Sequence, residues 1–159
     1  MTIQVGDKVP SVNLAHMTES GPGGVTSDEL FAGKKVVMFA VPGAFTPTCS
    51  AAHLPGFVAN ADRIKATGVD DIVCISVNDA FVMDAWGKAQ NADAIHMVAD
   101  GNAEFARAAG LDFDLVNHGI GVRSRRYAMV VEDGVVTHLL LDEGLPLEKS
   151  GAESVLDLL

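Results

Sequence analysis

Cysteine is scarce in this sequence: two in 159 residues, Cys49 and Cys74, with no Cys-x-x-Cys pair. Usage this sparse fits a reducing compartment, where a lone cysteine is structural, catalytic or redox-sensing. Positive charge is also short. Eleven Lys and Arg stand against 21 Asp and Glu, a formal charge of −10. Nucleic acid and an anionic membrane would both repel such a chain, so neither is expected as its main partner. Long apolar runs are absent: VVMFAV, residues 36–41, spans only six positions, far below the roughly 18 of a membrane span. The start, MTIQVGDKVPSV, lacks a basic segment leading into an apolar one, so no signal peptide is expected and the default location is the cytoplasm, or a matrix-like compartment if a leader has already been removed. There is no internal repeat, low-complexity tract or Pro/Ser-rich linker, and residues 1–159 are expected to form one domain. With 48% hydrophobic and 20% charged residues, a chain of this length buries a core without staples.

What is present is an alternation of short apolar runs and helical patterns. Val36–Val41 reads as a buried strand. From about Thr48 to Ala66, Leu54, Phe57, Val58, Ala61 and Ile64 fall at helical spacing, and Gly68 ends the pattern. Pro55 lies inside that helix, where it removes a hydrogen bond and predicts a kink one turn after Cys49. DIVCISVN, residues 71–78, is a second strand, and Asn78 or Asp79 can cap a helix running through Trp86 to about Ala89. Ile95–Ala99 predicts a third strand and Ala103–Ala109 a short helix ended by Gly110. In VVEDGVVTHLLL, Asp133-Gly134 between β-branched runs predicts a tight hairpin. The tail, about Ser150 to Leu159, predicts a closing helix. Strands alternating with helices, then an antiparallel hairpin, give an α/β fold with a mixed central sheet and helices on both faces. That order resembles the thioredoxin-like plan.

The stretch VPGAFTPTCS, residues 41–50, joins the first strand to its helix and puts Cys49 in the first helical turn. Unpaired N–H groups and the positive end of the helix dipole favour a thiolate there. Bringing a thiol from about 8.5 to about 6 requires roughly 3 kcal/mol, whereas a helix terminus supplies about 0.3–2 kcal/mol. A second cation is implied. GVRSRRYAMVV offers Arg123, Arg125 and Arg126 in a chain otherwise poor in basic residues. Acidity alone gains only about 30-fold in thiolate at pH 7, so the site must also bind the leaving group. Thr46, Arg126 and backbone N–H groups form a set of donors suited to a compact oxygen substrate.

The pattern Pro-x-x-x-Thr-x-x-Cys, met by Pro42, Thr46 and Cys49, resembles the peroxiredoxin motif. CSAAHLPGFV, CISVNDAFVMDAW, GVRSRRYAMVVEDGVV and the N-terminal VGDKVPSVNL are similar to the type II (peroxiredoxin-5-like) branch, and the likeness covers nearly the whole chain. The resemblance implies that Cys49 attacks hydrogen peroxide or an alkyl hydroperoxide and becomes a sulfenic acid. It implies that Thr46 and Arg126 orient the peroxide and that Pro42 shields the sulfur. It implies recycling by glutathione with glutaredoxin or by thioredoxin, a homodimer, and no metal, flavin or haem. A peroxide-sensing switch protein signalling through Cys49 is the alternative reading.

Three further residues complete the expectations. No cysteine follows Cys74, so a C-terminal resolving cysteine is excluded, while Cys74 itself stands 25 positions after Cys49. Some members of the branch resolve with such a cysteine, yet Cys74 sits in a strand that reads as buried, and an inert packing role is favoured. His53, four residues after Cys49, and Gly43 are expected at the pocket rim. Cys49 and His53 are too few to hold a metal.

Overall fold

A computed structural model describes residues 1–159. The chain opens with a hairpin absent from the sequence reading: β1 (Asn13–Thr18) pairs antiparallel with β2 (Gly21–Thr26). The strand GPGGVT has almost no apolar alternation to announce it. Thr26 then caps α1 (Ser27–Phe31) in a capping box with Glu29. β3 (Lys35–Ala40), α2 (Leu54–Ala66), β4 (Asp71–Ser76), α3 (Ala80–Ala89), β5 (His96–Ala99) and α4 (Glu104–Ala108) follow the expected alternation. A small antiparallel pair, β6 (Asp112–Asp114) and β7 (Val122–Ser124), precedes the hairpin of β8 (Tyr127–Glu132) and β9 (Val135–Leu141), and α5 (Ala152–Leu156) closes the chain. Asp133 and Gly134 take φ of 47° and 79°, the left-handed pair that a two-residue hairpin requires.

The main sheet has the order β2-β1-β5-β4-β3-β8-β9. The β5-β4-β3 core is parallel, and the pairs outside it are antiparallel. This mixed sheet with helices on both faces is the thioredoxin-like fold. Alternation along β3 divides the interior. Val37, Phe39 and Val41 pack with Phe57 and Ile64 of α2, Trp86 of α3 and Val155 of α5. Val36, Met38 and Ala40 pack on the opposite face with Leu30 and Phe31 of α1 and Phe105 of α4. Within the parallel core, β3 ends at the loop that carries Cys49, and the loop entering β8 carries Arg126.

The region after Cys49 departs from the expected kinked helix. Residues Cys49–His53 form a π-helical turn, in which the Leu54 N–H donates to the Cys49 carbonyl five residues back. Pro55 stands at the start of α2, directly behind it. A proline ring clashes with the carbonyl four residues earlier, and the wider turn relieves that clash by shifting the bonding by one residue. The disturbance at Pro55 takes the form of widened helical bonding over Cys49–His53.

Candidate active site

Cys49 is fully buried at the head of the π turn. Pro47 and Thr48 precede it, and no group in the chain accepts its backbone N–H, as expected for the first turn of a helix. The loop before it is held from the neighbouring strand. The Ala44 N–H donates to Asn78 Oδ1 at 3.0 Å, and Ser76 Oγ donates to the same oxygen at 2.6 Å. Of the two capping candidates, it is Asp79 that caps α3, by accepting from the Val82 N–H. Trp86 is buried and donates its indole N–H to Ser50 Oγ at 3.0 Å, which ties α3 to the residue after Cys49.

Arg126 is the cation at the sulfur. It is 2% exposed, and each part of its guanidinium has a partner. Nη2 donates to Cys49 Sγ at 3.2 Å, Nη1 donates to His53 Nδ1 at 2.8 Å, and Nε donates to the Leu145 carbonyl at 2.8 Å. The other two arginines serve the surrounding loops. Arg123 donates to the Ile120 and Val77 carbonyls and Arg125 to the Glu143 carbonyl, and neither forms an ion pair.

Thr46 is close in the chain but makes no bond to the sulfur. Its one hydroxyl proton, expected as a donor at the site, goes instead to the Gly43 carbonyl at 2.6 Å, which leaves the oxygen lone pairs to accept from a donor. Pro42 and Gly43 are both buried. Gly43 therefore does not form a rim. A Cβ there would sit 3.0 Å from the Thr46 methyl and 3.4 Å from Arg123 Nη1, so a larger residue requires the Thr46 side chain to give by a few tenths of an ångström.

His53 also departs from the rim expected of it. It has no exposed surface and lies behind Arg126, its ring tilted against Phe39 and Phe57 at 5.1 and 5.7 Å between centroids. Its Nε2–H donates to the Ser150 carbonyl at 2.9 Å. Burial, then the Arg126 charge, push its titration from 6.5 down to about 4, against the opposing pull of the Ser150 bond and the Asp142 charge. The fold holds the neutral ring, so its contribution is complete above about pH 6.5 and is lost as pH falls towards 4. The gap between 6.5 and about 4 is worth about 3 kcal/mol. Urea unfolding of wild type and His53→Asn at pH 7 and pH 4 checks this. Wild type should lose about 3 kcal/mol more than the variant between the two; equal losses would remove His53 as the cause.

Cys74 is fully buried in β4 on the same face of the sheet as Cys49, and both thiols are free. Burial, then proximity to Cys49, push its thiol well above the ordinary range. A cysteine in this state is a poor nucleophile. Two groups escaped the sequence reading altogether. Asp142 and Ser150, 1% and 0% exposed, lie after β9; the Ser150 carbonyl meets His53, and Asp142 holds Ser150 through its hydroxyl. LDEGLPLEKSG reads as an ordinary polar loop, and only the fold brings Ser150 to His53 of the π turn.

The chain resembles known proteins along nearly its whole length. A family model described as Redoxin matches residues 4–156. Peroxiredoxin-2E of Arabidopsis thaliana is 49% identical over 98% of this chain and 68% of its own, and Peroxiredoxin-2B of the same plant is 46% identical over 97% and 96%. The crystal structure of reduced Prx3 in complex with hydrogen peroxide from Vibrio vulnificus superposes with a TM-score of 0.95, at 53% identity over 99% of each chain. A buried thiol bonded by an arginine, on a thioredoxin-like sheet, is the setting in which that likeness is found. The chain belongs to the peroxiredoxins of the redoxin family, close to their type II (peroxiredoxin-5-like) members, and its activity is that of a thiol peroxidase.

Proposed function

We propose that Cys49 is the peroxidatic thiol, acting on hydrogen peroxide and alkyl hydroperoxides. The observation that carries this assignment is the 3.2 Å bond from Arg126 Nη2 to its sulfur, made by a guanidinium with no freedom to turn away. A charge-assisted bond strengthens when the acceptor is ionised, so Arg126 favours the thiolate. The thiolate attacks one peroxide oxygen. The S–O bond forms as the O–O bond breaks, sulfur loses two electrons, and the departing oxygen takes a proton and leaves as water or alcohol. The free Cys49 N–H and Arg126 meet the negative charge that develops on the oxygens. Thr46 accepts from the peroxide hydroxyl, and Pro42 shields the sulfur from bulk water.

A thiol reductant completes the cycle, and we assign glutathione with glutaredoxin, or thioredoxin, to that step. One thiol condenses with the sulfenic acid and releases water; a second cleaves the mixed disulfide and restores Cys49. The burial and suppressed ionisation of Cys74 favour this external route over an internal disulfide. The sparse, free cysteines favour a reducing compartment, the cytoplasm. A homodimer fits the loops around the site. Phe45, four residues before Cys49, is 55% exposed, and Leu145, whose carbonyl holds Arg126, is 36% exposed. A second copy of the chain would cover them. No helix is long and apolar enough to cross a membrane.

The test is mass spectrometry of reduced protein after one equivalent of hydrogen peroxide, with dimedone present to trap a sulfenic acid. The adduct is expected on the Cys49 peptide and not on the Cys74 peptide. A Cys49–Cys74 disulfide would overturn the external route, and an unmodified Cys49 would overturn the assignment.

A further inference from the structure

Two of the three groups that hold the Arg126 head come directly or indirectly from one loop, residues 143–150. Leu145 supplies the carbonyl that takes Nε, and Ser150 supplies the carbonyl that fixes His53, which takes Nη1. A carboxylate closes this loop. Asp142 accepts from the Glu148 and Lys149 N–H groups on one oxygen and from Ser150 Oγ at 2.6 Å on the other. The Asp142 N–H in turn donates to the Arg126 carbonyl at 3.0 Å. The bonds run in a circuit that begins and ends at Arg126, and each of its four side chains is at most 2% exposed.

We propose that Asp142, Ser150 and His53 form a positioning relay that holds the Arg126 guanidinium on the Cys49 sulfur. Chemistry fixes the direction of every link. A guanidinium only donates, so His53 Nδ1 must accept and its proton must sit on Nε2. The Ser150 carbonyl selects that tautomer by accepting from Nε2–H. The Ser150 hydroxyl donates to Asp142, which pins the residue whose carbonyl makes the choice.

The neutral ring also explains why the carboxylate stands back. A buried arginine ordinarily pairs directly with a carboxylate. Asp142 is the buried anion of this circuit, yet it forms no ion pair with Arg126. With His53 and Ser150 between them, the carboxylate supplies orientation without sitting on the guanidinium, and Nη2 stays directed at sulfur. None of the three relay side chains bonds to Sγ, so they act through Arg126 and not on the substrate.

The inference rests on Cys49 being the reacting thiol. Its test therefore reads that thiol in two ways: the rate of Cys49 alkylation by iodoacetamide at neutral pH, without peroxide, and the rate of peroxide consumption. His53→Leu removes the Nδ1 acceptor and leaves a charged donor unpaired; it should slow both rates by about tenfold or more. His53→Asn restores an acceptor near the Nδ1 position and should recover both to within about threefold of wild type. Asp142→Asn should fall between them. Wild-type rates in His53→Leu, or equal losses in His53→Leu and His53→Asn, would overturn the relay. Should Asp142→Asn not accumulate as folded protein, the His53 pair decides alone. Alkylation needs no peroxidase activity. A wild type inert to peroxide would sink the functional reading, while the relay would still be judged on alkylation.

Discussion

Replacing Cys49 with serine is expected to abolish peroxide turnover, down to the uncatalysed rate, a loss on the order of 10⁶-fold or more if this enzyme lies in the ordinary range of acceleration. The size follows from what the sulfur does. It must be ionised to attack, and a serine hydroxyl has no adjacent base to ionise it: the only imidazole within reach, His53, already spends Nδ1 on Arg126 and its Nε2 proton on Ser150. It must then hold the oxygen that it takes, and an oxygen in its place would only form another peroxide. The fold should survive the exchange. Serine oxygen keeps an acceptor for Arg126 Nη2, so the buried guanidinium is not left without a partner. Peroxide consumption with a thiol–reductant system, alongside an unfolding curve, measures both halves. Turnover retained by a folded Cys49→Ser protein would remove this residue from the chemistry.

The contacts around Cys49 differ widely in how legible they are in the sequence. The motif around Cys49 is continuous in the chain, so Pro42, Thr46 and Cys49 could be named from PGAFTPTC. Arg126, 77 residues away, was legible because three arginines in four positions stand out in an acidic chain, and because GVRSRRYAMVV resembles the family. The strands of the parallel core announced themselves through unbroken apolar runs. The first hairpin did not, because Gly21, Gly23 and Gly24 stand where alternating side chains would give the signal. His53 is visible in the sequence, but its depth is not. Helical spacing puts it on the side of Cys49, yet whether that side is a rim or an interior depends on a loop 97 residues further along. Asp142 and Ser150 carry no local mark of their role, since a polar residue after a strand is the ordinary content of a turn. The proline at position 55 signalled a disturbance, and only the backbone shows that the disturbance is a π turn.

Arg126→Lys is expected to lower the peroxide reaction rate by about 10- to 100-fold although the charge is kept, because a charge-assisted hydrogen bond in such a site is worth about 1.5–3 kcal/mol. Three acceptors surround the wild-type head in fixed directions: the Leu145 carbonyl, His53 Nδ1 and Cys49 Sγ. A planar fork meets them together. An ammonium is a point charge on a flexible stem and has no donor at the level of Nε. It can settle on the sulfur and abandon His53 and Leu145, or settle on those two and abandon the sulfur. Either choice leaves a buried acceptor unpaired, which adds about 1–3 kcal/mol of destabilisation. The variant should therefore lose rate and stability together, whereas Cys49→Ser loses rate alone. Comparing the two by peroxide kinetics and urea unfolding separates the role of charge from the role of shape. If Arg126→Lys reacted at the wild-type rate, positive charge near the sulfur would suffice, and the aim of the guanidinium would carry no part of the catalysis.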